Sequence, residues 1–199
     1  IREFELLKNA GCNLVVDVTT EDFGRDPRFL KEISKKTDIY VVAGCGFYID
    51  CAVDERIKSF KVSELYHTIM KELTVGIGNT DIKAGVIGEI GSSEEITEFE
   101  YKSLEAASIA QKETGAGMHI HACLWNREGV KALRFAAKCG ANPEKICIDH
   151  ADVLLDYEYI LQILDTGAYV EFDDFGKEFY VDKKNRNLFR RHDGSSLFL

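Results

Sequence analysis

The sequence predicts an α/β fold of the (β/α)8-barrel class, the TIM barrel, of which about six βα units are visible. Short, continuously apolar segments alternate along the chain with amphipathic segments, as expected for parallel strands covered by helices. Polar side chains collect at the carboxyl ends of four of these strands, and a barrel gathers all of its strand ends around one mouth. The competing architecture, a doubly wound open sheet, is disfavoured because no glycine-rich phosphate loop follows the first strand.

Apolar runs bounded by turn residues predict the strands. They cover residues 13–19, 38–48, 83–91, 117–125, 145–152 and 168–176. Amphipathic helices are predicted between them, and two carry clear start signals. Asp26-Pro27 begins one helix as cap and first-turn proline, and the capping box TEFE (97–100) opens another that runs to about Glu113. The remaining helices cover 63–73, 127–139 and 157–166, with Gly140 and Gly167 ending the last two.

The chain is shorter than a complete barrel, which needs eight strands and typically about 250 residues. It has 199 residues, opens within an amphipathic helical segment, and leaves too few residues after Gly176 for an eighth strand and a closing helix. We therefore expect one partial barrel domain over residues 1–199, a fragment without the first and eighth strands.

Composition excludes several classes of function. The chain carries 25 Lys+Arg against 34 Asp+Glu, a net charge of -9, which argues against binding to nucleic acid. It has no apolar run near 20 residues, so no membrane association is predicted. The basic cluster at 183–191 is interpreted as a solvated tail. Six cysteines without a CxxC pair favour buried, reduced thiols and a cytoplasmic location over a disulfide framework.

Three side chains predict a metal site. Glu89 interrupts the otherwise apolar strand GVIGEIG (85–91), and a buried carboxylate needs a cationic partner. His121 ends the strand that carries HIH (119–121), and His150 ends the next strand in IDHADV (148–153). Because consecutive strand ends are neighbours at a barrel mouth, Glu89, His121 and His150 are predicted to hold a divalent metal ion.

Other polar residues receive weaker assignments. The two histidines of HIH share one face of a strand and could chelate one metal ion. For His119, the deeper of the two, the favoured interpretation is instead a buried side chain that hydrogen-bonds to backbone. Tyr48 is a candidate substrate-binding residue whose hydroxyl could donate to an oxygen at the metal, or else a rim aromatic under a loop. No catalytic acid or base is assigned. The remaining acidic residues at strand ends are interpreted as loop acceptors or helix caps: Asp17, Asp149, Asp152, Asp173 and Asp174.

Several segments, in order, resemble the phosphotriesterase-related branch of the amidohydrolase superfamily over residues 5–185. They include VVDVTTEDFGRDPRFLKEIS, VVAGCGFY, AGVIGEIG, ITEFEYKSLEAASIAQKETGAGMHIH, KICIDHADV and GAYVEFDDFGK. The resemblance implies a TIM barrel with two divalent ions and hydrolysis of a lactone, carboxylester or phosphotriester. The identity of the metal is left open, with zinc expected from the nitrogen and oxygen ligands.

The same resemblance assigns the ligands by position. It makes Glu89 the carboxylate that bridges two metal ions, and His121 and His150 the ligands from the fifth and sixth barrel strands. Family members with a carboxylated lysine carry it where Gly88 stands. The HxH of the first barrel strand and the aspartate of the eighth are not found, and His192-Asp193 is interpreted as a chance match to the latter.

Two functional hypotheses follow. The resemblance implies a hydrolase in which a metal-activated water attacks a small-molecule ester or lactone directly, with the site only partly present in this chain. The alternative is a non-catalytic fragment, metal-binding or inert, that needs the missing strands or a partner chain. Because an incomplete barrel leaves two open sheet edges, a homo-oligomer is also possible.

Overall fold

A computed structural model describes residues 1–154, 156–174, 181–182 and 187–188. The α-helices in this part are α1 (Arg2–Asn9), α2 (Pro27–Thr37), α3 (Glu55–Lys58), α4 (Val62–Thr74), α5 (Glu98–Thr114), α6 (Glu128–Lys138) and α7 (Tyr157–Leu164). The main strands are β1 (Leu14–Asp17), β2 (Tyr40–Cys45), β3 (Val86–Gly91), β4 (Gly117–His121), β5 (Ile146–Asp149) and β6 (Tyr169–Val170). A short antiparallel pair joins β7 (Val181–Asp182) to β8 (Asn187–Leu188). The predicted basic tail, apart from 187–188, and His192-Asp193 lie outside the described residues.

The main sheet has six parallel strands in the sequential order β1-β2-β3-β4-β5-β6. A doubly wound sheet would reverse its order at one strand, and this sheet does not. Parallel neighbours in sequential order are joined by crossovers that are right-handed in nearly all proteins, which leaves the helices on one side of the sheet. The sheet thus curls into half of a (β/α)8 barrel. The predicted fold class is therefore confirmed.

The convex face of the sheet forms the hydrophobic core. Ile87, Met118 and Ile146 occupy adjacent register positions on β3, β4 and β5, and each is at most 1% exposed. Ile120 and Ile148 repeat the arrangement two residues later and are fully buried. Helices α5 and α6 cover these side chains. The packing fixes the strand register, because a one-residue slip would turn every apolar side chain to the other face.

The concave face carries the polar chemistry. Register pairs His119 with Cys147 and His121 with Asp149, and side chains two residues apart on a strand share a face. Within the described residues this face is open to solvent at its edge strands, where Leu14 is 53% exposed and Tyr169 is 63% exposed. The candidate site therefore lies on the inner wall of the half-barrel, at the carboxyl ends of β3, β4 and β5.

Helix boundaries follow the predicted signals closely. The Asp26 carboxylate accepts hydrogen bonds from the backbone N–H groups of Arg28 and Phe29, and Thr97 and Glu100 form the predicted capping box. Most strands were predicted too long at their carboxyl ends, whereas β3 ends at Gly91 as predicted. Phe47, for example, lies beyond β2 yet is only 5% exposed, because a loop buries it without a strand ladder.

The six cysteines form no disulfide, as predicted, but only Cys45 is buried, while Cys51 is exposed and the others are partly buried. Within the described part of the chain, the helices are too short or too polar to span a bilayer.

Candidate metal centre

Local irregularity in β3 turns Glu89 toward the concave face. Regular alternation would place Glu89 on the same convex face as Ile87. The β3–β4 register shifts between Ile87 and Ile90, so both isoleucines face the core and Glu89 falls on the other side. Gly88 occupies a positive φ of 124° at this point, a conformation that favours glycine, and the Gly88–Glu89 peptide is cis.

The structure brings together the three residues of the predicted metal site. Glu89 Oε1 lies 3.1 Å from His150 Nε2, and Glu89 Oε2 lies 3.5 Å from His121 Nδ1. The two imidazoles approach to 2.9 Å between His150 Nε2 and His121 Nδ1. Ligand atoms around tetrahedral zinc are about 3.3 Å apart, because each lies about 2.0–2.1 Å from the ion. The set of two nitrogens and one carboxylate therefore fits a divalent cation in both chemistry and spacing.

The pKa values of Glu89 and His150 in the metal-free chain also favour a positive charge at this site. Burial opposes the charge on Glu89, but hydrogen bonds from His121 and His150 outweigh it and lower the pKa of Glu89 to about 2. Burial also opposes the charge on His150, yet hydrogen bonds to Asp173 and Glu89 raise its pKa to about 10. A proton on His150 thus supplies the positive charge that the carboxylate needs, and a metal ion would displace that proton on binding.

Asp173 holds the outer side of His150. The two carboxylate oxygens of Asp173 lie 2.9 and 2.8 Å from His150 Nδ1, so the imidazole presents Nε2 to Glu89. A carboxylate behind a ligating histidine fixes its tautomer and orientation. Asp173 was predicted to be a loop acceptor or cap, and this interpretation is wrong because the loop after β6 folds back over His150. In the sequence, only the two adjacent aspartates in FDD (172–174), shortly after β6, pointed to this role of Asp173.

Tyr48 lies in the loop after β2 and reaches the same centre. Its hydroxyl is 3.3 Å from both Nδ1 and Nε2 of His121, and the two rings lie 4.8 Å apart. The backbone N–H of Tyr48 donates to the Asp22 carboxylate at 2.7 Å, which fixes the loop. Burial, with the nearby negative charge of Glu89, raises the pKa of Tyr48, so its hydroxyl keeps its proton as a donor. A role in substrate binding stays a prediction.

His119 has a carboxylate partner rather than the backbone partner predicted for it. Its Nδ1 lies 2.9 Å from Asp149 Oδ1 and 3.6 Å from Glu171 Oε2. The prediction of Asp149 as a loop acceptor or cap is also wrong, because the register of β5 points its side chain into the concave face. Burial opposes a charged His119, but the two carboxylates raise its pKa to about 10.

The other predicted loop acceptors behave more simply. Asp17 accepts a hydrogen bond from the Thr19 backbone N–H at 3.0 Å, and Asp152 accepts one from the Asp174 N–H at 3.3 Å. These two carboxylates brace the loops after β1 and β5, as expected.

Gly88 has a steric role beside the centre. A Cβ atom at this position would lie 2.6 Å from the backbone oxygen of His119 and 2.9 Å from its Cβ. No side chain fits there without displacing β4. A carboxylated lysine at position 88 is thus incompatible with this backbone, and the carboxylate that lies beside His121 and His150 is that of Glu89.

Comparisons with known proteins agree with this geometry. The family model described as "Phosphotriesterase family" matches residues 1–191. The N-acetyltaurine hydrolase of Dictyostelium discoideum is 35% identical over 179 residues, which are 89% of this chain and 48% of that protein. The chain spans about half the length of the curated relatives it matches.

Solved structures show the same half-barrel within longer chains. A resiniferatoxin-binding protein from Rhodobacter sphaeroides superposes with a TM-score of 0.89 at 31% identity, covering 92% of this chain and 51% of that one. A mutant of a phosphotriesterase-like lactonase from Deinococcus radiodurans superposes with a TM-score of 0.83 at 32% identity, covering 88% and 56%. Fold and family model agree, and the chain belongs to the phosphotriesterase family of the amidohydrolase superfamily.

Proposed function

We propose that this chain provides the Glu89, His121 and His150 part of the active site of a metal-dependent hydrolase that acts on small-molecule esters. One observation carries the proposal: three ligand atoms from consecutive strands, all within 4.8 Å of one another, converge on the concave face of the half-barrel. The metal ions proposed are divalent, with zinc favoured by nitrogen and carboxylate ligands.

Each residue has a defined part in this proposal. Glu89 and the two histidines would hold the cation, which would polarise the substrate oxygen and lower the pKa of a water molecule. Asp173 keeps the proton of His150 on Nδ1, so that Nε2 is free to act as a ligand. Tyr48 keeps its hydroxyl proton and can donate it as a hydrogen bond to the substrate oxygen that becomes negative.

A lactone or carboxylester is the substrate class we favour, with phosphotriesters next. The structural likeness to a phosphotriesterase-like lactonase supports the lactone. A second candidate is an N-acylated amine, because a relative 35% identical to this chain is named N-acetyltaurine hydrolase. Both reactions need a water molecule directed at the carbonyl carbon of the acyl group. The arrangement of Glu89, His121 and His150 is compatible with either substrate.

The test begins with metal content. The full chain, loaded with zinc and desalted, is compared with Glu89→Gln and His150→Ala by elemental analysis, with Glu32→Gln on the exposed face of α2 as the matched control. We expect both site variants to lose the zinc held by this centre and the control to retain it. Unchanged zinc in both site variants would refute the assignment.

Turnover separates the enzyme from the non-catalytic alternative. Zinc-loaded chain is assayed with a lactone, a carboxylester, a phosphotriester and N-acetyltaurine, each with Glu89→Gln as the blank. Hydrolysis that disappears in the variant supports a hydrolase and identifies its substrate class. Bound zinc without turnover of any compound supports a metal-binding fragment that needs further strands or a partner. Size-exclusion chromatography with light scattering then tests the proposed homo-oligomer.

A further inference from the structure

A second cluster of potential ligands lies on the concave face, one layer below the Glu89 centre. His119 comes from β4, Cys147 and Asp149 from β5, and Glu171 from the segment directly after β6. One nitrogen, one sulfur and two carboxylate oxygens of these residues all lie within 4.8 Å of one another. None of the four belongs to the Glu89 centre, so the cluster is unexplained by the proposed function.

The Asp149 carboxylate is the observation that points to a bound cation. Its side chain is 1% exposed, and Oδ1 pairs with His119 at 2.9 Å. The other oxygen, Oδ2, is buried and has no hydrogen-bond partner of good geometry. Besides His119, the Cys147 thiol and the Glu171 carboxyl group are close enough to Asp149 to affect its charge, and both belong to the same cluster. A buried carboxylate oxygen without a partner is costly, and the like charge of Glu171 beside it adds to that cost. A divalent cation would remove both penalties at once.

We propose that His119, Cys147, Asp149 and Glu171 form a second metal site, separate from the Glu89 centre and selective for zinc. Zinc accepts imidazole, thiolate and carboxylate ligands together, whereas magnesium and calcium take oxygen ligands and disfavour sulfur. Zinc would bind the unprotonated imidazole nitrogen of His119 and the thiolate of Cys147, as at other zinc sites. Four protein ligands leave no open tetrahedral position, which is typical of a structural rather than a catalytic zinc.

The position of this site gives it a mechanical role. Its ligands tie β4 and β5 to the segment after β6, an edge strand of only two residues. The same three segments carry His121, His150 and Asp173. An open groove of about 690 Å³, lined by His119, Cys147 and Glu171 among others, gives the ion a path from solvent. Zinc at this second site would therefore stiffen the strands that carry the Glu89 centre.

Cobalt substitution tests the site through its sulfur. The metal-free, reduced chain is titrated with Co²⁺, and the near-ultraviolet thiolate-to-cobalt charge-transfer band is followed; the Glu89 centre has no sulfur ligand and cannot produce it. We expect a saturable band that Zn²⁺ abolishes by displacement. Cys147→Ser should lose the band, whereas Cys139→Ser, which alters a partly buried thiol outside the cluster, and Glu89→Gln should keep it.

A thermal shift provides the second readout. Zinc should raise the melting temperature of the Glu89→Gln variant, in which the Glu89 centre is disabled. The rise should disappear in the double variant Glu89→Gln, Cys147→Ser. If circular dichroism shows that Cys147→Ser does not fold, Asp149→Asn is used instead, because asparagine has a similar shape and preserves the packing. We expect Asp149→Asn to bind cobalt at least tenfold more weakly, as measured by the same charge-transfer band. Absence of the band in the unmodified chain, or its survival in folded Cys147→Ser or at full affinity in Asp149→Asn, would overturn the proposal.

Discussion

The Asp173 carboxylate lies 2.8 Å from Nδ1 of His150, on the side of the imidazole opposite Glu89. His150 is the residue directly after β5 and has a positive φ of 60°, which is uncommon for a residue with a side chain. Its orientation at the strand end therefore depends on contacts, and Asp173 makes the shortest of them.

Replacement of Asp173 by asparagine should weaken zinc binding at the Glu89 centre. Asparagine keeps the shape but loses the charge that holds the proton on His150 Nδ1, and such changes typically cost about 10- to 100-fold in metal affinity. Competition with a chromophoric chelator measures the effect. Asp165→Asn, an exposed change at the end of α7, serves as control and should bind normally. Equal affinity of Asp173→Asn and the control would show that Asp173 does not support the ligand.

Glu100 connects the loops around the candidate site, and its replacement by glutamine should destabilise the fold. Its fully buried carboxylate accepts hydrogen bonds from the backbone N–H groups of Asp50, Ser93 and Thr97, and from the Ser93 hydroxyl. A glutamine amide would turn a donor toward these donors. Hydrogen bonds to charged groups are worth about 1.5–3 kcal/mol each, so we expect a loss of about 3 kcal/mol in unfolding free energy.

Urea unfolding measures this loss, with Glu98→Gln as the matched control. Glu98 lies in the same first turn of α5 but is exposed, so its replacement should change stability by at most about 0.5 kcal/mol. Equal stabilities for the two variants would contradict the proposed role of Glu100.

Gly88→Ala should distort the floor of the Glu89 centre. The added Cβ would approach the His119 backbone oxygen to 2.6 Å, and the φ of 124° disfavours any side chain. Overpacking and backbone strain together predict a loss of about 2 kcal/mol or more in unfolding free energy. Gly78→Ala is the control, because Gly78 also has a positive φ but a Cβ added there would meet no atom within 4 Å; it should cost about 1 kcal/mol. A cost for Gly88→Ala no larger than that of the control would exclude the clash.

The positions of Glu89, His121 and His150 at neighbouring strand ends could be predicted from sequence, because parallel strands of a barrel end at one mouth. The partners of these residues could not. Asp173 and Asp149 looked like any acidic residue at a strand end, since sequence does not tell which loop folds back or which face a side chain takes. Even Glu89 reaches the concave face only through the register shift in β3, which no apolar pattern indicates.

The pH dependence of stability gives the last prediction. Burial opposes the charges on His119 and His150, but their carboxylate partners prevail and raise both pKa values from 6.5 to about 10. Between these values the folded, metal-free chain binds more protons than the unfolded chain, so its stability should fall as pH rises through this window. Below the ordinary histidine pKa the contribution of both residues is fully present.

His119→Gln isolates one of these contributions. The unfolding free energy in urea is measured for the metal-free chain near pH 6.5 and near pH 10, the limits of the window. Since one pKa unit corresponds to about 1.4 kcal/mol, the decline with pH should be smaller in His119→Gln than in the unmodified chain by at least about that amount. His67→Gln, on the exposed face of α4, should leave the decline unchanged. Parallel stability curves for His119→Gln and the unmodified chain would mean that Asp149 and Glu171 do not hold a proton on His119.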